Sequence, residues 1–120
     1  MTLKKRLASF RFAFKGIRVL FASQPNARIH LIAALLAVLA GWYTGISHLE
    51  WLILTGWITL VICLEAVNTA LEFLTDLVSP QHHPLAGKVK DVAAAAVLLA
   101  AAGAVISGGL IFLPKLFWFG

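Results

Sequence analysis

Residues 64–76 read LEAVNTALEFLTD and follow directly on WLILTGWITLVIC, thirteen residues without a charge. Three of the five acidic residues in the chain, Glu65, Glu72 and Asp76, lie in this one stretch. Glu65, Asn68, Thr69, Glu72 and Asp76 fall at i, i+3, i+4, i+7 and i+11, which at about 3.6 residues per turn puts them on one face of a helix. Ala66, Val67, Ala70, Leu71, Phe73 and Leu74 cover the remainder with apolar surface. The eleven residues from Glu65 to Asp76 correspond to about 16 Å of helix. Asp76 can therefore stand at a membrane surface while Glu65 lies inside the bilayer.

That placement is expensive. An acidic side chain at the bilayer centre costs about 2.5–3.5 kcal/mol on insertion scales, where a leucine would contribute about −0.3 to −0.6 kcal/mol. A single Asn or Thr in such a helix is accounted for by hydrogen bonding between helices that fixes register. Two glutamates and an aspartate on one face point instead to a functional cleft.

The surrounding chain has the composition of an all-α membrane protein. Of 120 residues, 61% are hydrophobic and only 12% charged, against about 25% charged in soluble domains. This length allows a single domain, 1–120. Residues 29–46 and 92–113 hold no Asp, Glu, Lys or Arg, and the apolar run from 51 continues through the acidic face to 78. A bilayer core needs about 20 helical residues, so these segments are expected to form three transmembrane helices. Residues 47–50 then read as a tight turn and 79–91 as the main polar loop. Residues 1–23 have a helical pattern of their own. Leu3, Leu7, Phe10, Phe14, Ile17 and Phe21 form an apolar stripe beside Lys4, Arg11, Lys15 and Arg18. This predicts an amphipathic helix lying in the interface. The same basic residues interrupt any run that could serve as a cleavable signal.

The net charge of +5 does not suggest nucleic acid, because seven of the ten Lys and Arg precede Ile29. A basic segment ahead of apolar spans suits anionic lipid. Lys88 and Lys90 add to the 79–91 side and only Lys115 lies on the other, so the N-terminus and that loop are expected to face the cytoplasm. Trp42, Tyr43, Trp51, Phe117, Trp118 and Phe119 would then form the outer aromatic belt. Small residues recur every four positions at Ala33, Ala37, Gly41 and Gly45, and again at Ala96, Ala100, Ala104 and Gly108. This spacing lets helix backbones approach closely. Cys63 is the only cysteine, which excludes an intrachain disulfide.

Carboxylates without thiolates or clustered imidazoles are hard oxygen ligands, suited to Mg²⁺. Mg²⁺ commonly shares its shell with phosphate oxygens, and Lys88 and Lys90 supply cations for such phosphates. Burial disfavours the charged form of a carboxylate, which suits Glu65 to accept a proton. Together these features resemble phosphoryl transfer to a lipid at the membrane surface. Neither GxxxxGK[ST] nor GxGxxG occurs, which excludes a P-loop or protein-kinase-like site. His82 and His83 are read as part of an interfacial loop, His30 as a local hydrogen-bonding group, and Asp91 as a cap for the third span or a further site residue. Two rival classes remain: a small proton-coupled transporter and a noncatalytic membrane assembly protein.

The run EAVNTALE at 65–72, Asp76, and AGKVKDVAAAAV at 86–97 closely resemble the signature of the small bacterial diacylglycerol kinase/undecaprenol kinase family. FKGIR at 14–18 and NARIH at 26–30 extend the resemblance over nearly the whole chain. It implies a homotrimeric bundle in the bacterial plasma membrane, with active sites shared between neighbours at the cytoplasmic face. It also implies ATP as phosphoryl donor with Mg²⁺. By position, Glu65 resembles the general base for the lipid hydroxyl, and Glu72 the carboxylate that binds the ATP-associated Mg²⁺, with Asn68 beside it. Lys90 and Asp91 match the pair at the nucleotide phosphates, Asp76 lies near the nucleoside, and Gly87 and Lys88 occupy the matching loop. Lys5 and Lys15 fall where the surface helix supplies basic contacts. One position departs: where the family often has a metal-binding glutamate, this chain has Gln24, which can ligate through its carbonyl but adds no negative charge. Asn68-Thr69 and the loop SPQHHPLAGKVKDVAAAAV look more like the undecaprenol kinase branch, so undecaprenol is the favoured acceptor and diacylglycerol the alternative.

Overall fold

A computed structural model describes residues 2–117, which fold as α1 (Leu3–Ser23), α2 (Pro25–Thr44), α3 (His48–Val78) and α4 (Pro84–Phe117). The last three helices are long and apolar enough to cross a membrane. Trp118 and Phe119 of the expected aromatic belt lie outside the described residues.

Helix boundaries follow from local chemistry and differ in places from the sequence expectation. The Thr2 hydroxyl accepts the Lys5 N–H at 3.3 Å and starts α1. A single extended residue, Gln24, separates α1 from α2. Pro25 then opens α2, where its missing N–H costs nothing, so the first span starts at Pro25 rather than at residue 29. It ends at Gly45, whose φ of 67° is left-handed and favours glycine.

Residues 47–50 are not a tight turn. Ser47 Oγ accepts the Glu50 N–H at 3.1 Å, and Glu50 Oε1 accepts the Ser47 N–H at 2.9 Å. This capping box satisfies the first free donors of the helix, so α3 begins at His48. The polar loop is also shorter than 79–91. His83 Nδ1 accepts the Leu85 N–H at 3.0 Å and the His83 carbonyl accepts from Gly87 at 3.1 Å, which starts α4 at Pro84. Gly87, Lys88, Lys90 and Asp91 therefore ride on the first turns of α4, and Asp91 is not its cap. At the other end α4 runs through Pro114 to Phe117, since a proline so near the terminus removes only one late carbonyl's partner.

α3 and α4 pack antiparallel, with an ion pair at each end. Lys115 Nζ lies 3.0 Å from Glu50 Oε2, and Lys90 Nζ lies 2.6 Å from Asp76 Oδ1. Twenty-six residues of α3 separate the two pairs, about 39 Å of helix, enough to bracket a hydrocarbon core of about 30 Å. Between them Ala93, Val97, Ala100 and Ile111 are the buried residues of α4. Ala96 and Ala104 are half-buried along the same side, so the small-residue spacing of this helix serves packing within one chain. Ile46, Leu54 and Ile111 form an apolar cluster, with Trp51 and Phe112 against it, that ties the end of α2 to α3 and α4. From this cluster, where Leu54, Ile111 and Phe112 line it, a groove of about 490 Å³ runs between the three helices to His30.

At Gly103 a Cβ would run into the ring of Trp57. Gly103→Ala is therefore expected to destabilise the fold by about 1–3 kcal/mol, the usual cost of overpacking. Thermal unfolding in detergent checks this, and an unchanged midpoint would show that α3 and α4 are not in this close contact.

Candidate active site

The polar face of α3 meets the start of α2. Gln24 Nε2 donates to Glu72 Oε2 at 3.3 Å, and His30 Nδ1 approaches Glu65 Oε1 to 2.8 Å. Six residues along α2 are thus matched by seven, in the opposite direction, along α3. At about 1.5 Å per residue both intervals span about 10 Å, so two antiparallel helices carry a ladder of polar pairs. Ala27, midway between Gln24 and His30, is fully buried. Its small side chain admits the close approach that brings the pairs within reach.

Glu65 is the most deeply enclosed polar residue, only 2% exposed, with Thr69 at 4% and Asn68 at 9%. The Thr69 hydroxyl donates to the Glu65 carbonyl at 2.8 Å, one turn back, and is satisfied within its own helix. The Glu65 side chain has no such local partner. Glu65 Oε1 and His30 Nδ1 lie 2.8 Å apart, yet each is buried without a hydrogen-bond partner. An unpaired carboxylate oxygen at this burial is costly, which leaves Oε1 open to a donor that a turn of the imidazole or an incoming hydroxyl would supply.

Two turns toward the Asp76 end, Glu72 receives two amides. Asn68 Nδ2 donates to Oε1 at 3.4 Å and Gln24 Nε2 to Oε2 at 3.3 Å. Asn68 Oδ1 is buried without a partner. A half-turn of either amide about its last bond would direct an oxygen at the same place. Glu72, Gln24 and Asn68 are thus a hard-oxygen donor set of the kind Mg²⁺ takes when phosphate and water complete its shell. Among the described residues no group of three His, Cys, Asp or Glu side chains has metal-holding geometry, and the donor set here is mainly amide.

The ladder ends in the exposed pair of Lys90 and Asp76, with side chains 42% and 62% accessible. Solvent screens a pair this open, so an incoming phosphate can take Lys90 at little cost. Lys88 and Asp91 are exposed on the same helix start, and Gly87 is half-buried beside them. Lys5 and Lys15 are not brought to the ladder. Both are exposed on α1, where Lys15 Nζ sits 5.7 Å from the centre of the Phe12 ring. His30 is the residue whose place in the site the sequence did not disclose. The available signal was a lone imidazole near the start of an otherwise uncharged span.

A buried carboxylate, a carboxylate–amide cluster and an exposed aspartate paired with Lys90 of α4 thus follow one another along about 16 Å of α3. The family model for prokaryotic diacylglycerol kinase matches residues 11–112, which takes in every rung of the ladder. The chain belongs to that family. Its curated relatives are named as lipid kinases. Undecaprenol kinase of Bacillus subtilis is 40% identical over 114 residues, covering 95% of this chain and 93% of its own length. Diacylglycerol kinase of Synechocystis is 43% identical over 92% of this chain, which spans 63% of that relative's length. Diacylglycerol kinase of Escherichia coli K12 is 31% identical, covering 80% of this chain and 79% of its own.

Proposed function

We propose that this protein is an integral-membrane kinase that transfers the γ-phosphate of ATP to a lipid hydroxyl, with undecaprenol as the favoured acceptor. The observation that carries the reading is the buried Glu65 carboxylate at the inner end of a polar ladder whose outer end offers Lys90. A lipid hydroxyl reaches Glu65 from the apolar side, and a nucleotide reaches the Asp76 end from water. Glu65 accepts the hydroxyl proton as the lipid oxygen bonds to the γ-phosphorus and the bridging P–O bond breaks, leaving ADP. Glu72, with amide oxygens from Gln24 and Asn68, would hold Mg²⁺, which when bound neutralises phosphate charge. Lys88 and Lys90 bind phosphates with Gly87 beside them, Lys90 and Asp91 together order the site, and Asp76 lies near the nucleoside. Lys5 and Lys15 act from the surface helix.

The acids running out to a basic helix start favour this reading over a proton-coupled transporter, which needs its carboxylate midway along a pore. The positive-inside rule supports a cytoplasmic N-terminus and a cytoplasmic Asp76 end. The apolar stripe of α1, with Leu3, Leu7, Phe10, Phe14 and Ile17 all exposed in the single chain, supports a helix lying in the interface. The resemblance to the family is what supports a homotrimer. A neighbour would complete the site on the side that α1 leaves open.

The end-to-end match to a relative named undecaprenol kinase supports the polyprenol acceptor, and the relatives named diacylglycerol kinase support the second reading. Competition in mixed micelles tests them, with both lipids and Mg-ATP supplied together and the labelled products separated. Polyprenyl phosphate is expected to dominate. Dominant phosphatidic acid would establish the second reading, and no phosphorylated lipid from folded protein would overturn both.

A further inference from the structure

The contact between His30 and Glu65 joins two helices at the most buried point of the ladder, and the proposed chemistry leaves the imidazole without a role. We propose that His30 is a positioning residue for Glu65, its Nδ1–H turning to donate to Oε1 so that the carboxylate is held in the orientation that receives the lipid hydroxyl's proton. The inference rests on Glu65 acting as the base.

Three observations lead there. The 2.8 Å between Nδ1 and Oε1 is within hydrogen-bond range, and with the ring as it stands both atoms lack a hydrogen-bond partner, so a turn of the imidazole that aims Nδ1–H at Oε1 satisfies both. The Glu65 side chain is 3% exposed and the described residues offer Oε1 no other donor. Left alone it would be a buried anion with a free choice of rotamer, or a protonated acid unable to act as a base. The His30 side chain, at 25% exposed, also lines the apolar groove between α2, α3 and α4. It therefore stands where a lipid approaching through the groove would meet the carboxylate. A donor on Nδ1 fixes one carboxylate oxygen and leaves the other for the hydroxyl, in the way an oriented acid–imidazole pair works elsewhere. The proton taken from the lipid goes to that second oxygen and leaves with water after the phosphorylated product departs.

The test compares His30→Ala, His30→Asn and His30→Gln in the full chain, with Glu65→Gln as control. An Asn amide nitrogen overlays Nδ1, whereas the Gln amide lies one bond further out and matches the ring only in bulk. His30→Ala is expected to lower kcat by about 10- to 100-fold, the usual effect of a misplaced catalytic group, with KM for ATP within about twofold of wild type. His30→Asn should recover most of that loss and His30→Gln little of it. Rescue by Gln but not Asn would show that His30 only fills space, and full activity in His30→Ala would overturn its role outright. If Glu65→Gln keeps turnover, the base assignment itself fails. If that variant is inactive while His30→Ala is not, only the present inference fails. Should the His30 variants not fold, ¹⁵N spectra of the wild-type imidazole decide. A protonated Nδ1 that loses its preference in Glu65→Leu supports the pairing, and an unprotonated Nδ1 in wild type refutes it.

Discussion

Glu65→Gln is expected to cut turnover by about 100- to 10,000-fold, the range that a positioned general base supplies, while leaving the fold intact. The substitution keeps the shape of the side chain and an oxygen that can accept from His30 Nδ1, now 2.8 Å away. It therefore creates no cavity, the change that would most readily unfold a site this enclosed. What is lost is the capacity to take a proton from the lipid hydroxyl. Initial rates on purified protein with Mg-ATP and lipid, alongside helix content and thermal midpoint, separate the two effects. Turnover at the wild-type rate would remove Glu65 as the base.

Glu72→Ala is the second large effect. The carboxylate is the common acceptor for Gln24 and Asn68, so its loss leaves two amides facing each other without the anion between them. If it is the charged member of the Mg²⁺ donor set, no other carboxylate replaces it, because Gln24 stands where a second one would be. Activity is expected to vanish, or to require at least about tenfold more Mg²⁺ for half-maximal rate, one charged ligand being worth that much or more. Rates across a Mg²⁺ titration at fixed ATP provide the check. An unchanged metal dependence would show that Glu72 serves only to hold the two amides.

Much of the fold is visible in sequence because it depends on one helix at a time. A charge-free run of twenty residues spans wherever it occurs, and the i, i+3, i+4, i+7 spacing puts Glu65, Asn68, Thr69 and Glu72 on one face whatever they pack against. Helix ends were less legible. The capping box joining Ser47 and Glu50 and the cap from His83 are local, and both were concealed by apparent turn chemistry: a Ser-His pair in one case, prolines in the other. A polar residue flanking a span can lengthen a helix as readily as end it.

Helical periodicity by itself determined which side chains share a face of α3, and the excess of acids there pointed to that face as the candidate site. It could not determine what that face meets. His30 and Glu65 are joined across two helices, as are Gln24 and Glu72, and neither pair has a spacing that any period predicts. Their register is decided in the tertiary structure by the antiparallel packing of α2 on α3. That packing depends on a buried alanine at Ala27 and on the apolar cluster of Ile46, Leu54 and Ile111 at the far end. A shift of one residue along either helix, about 1.5 Å with a rotation of about 100°, would part both pairs. The acids are thus legible in the chain, while the partner that positions the deepest of them is decided only by close contact between helices.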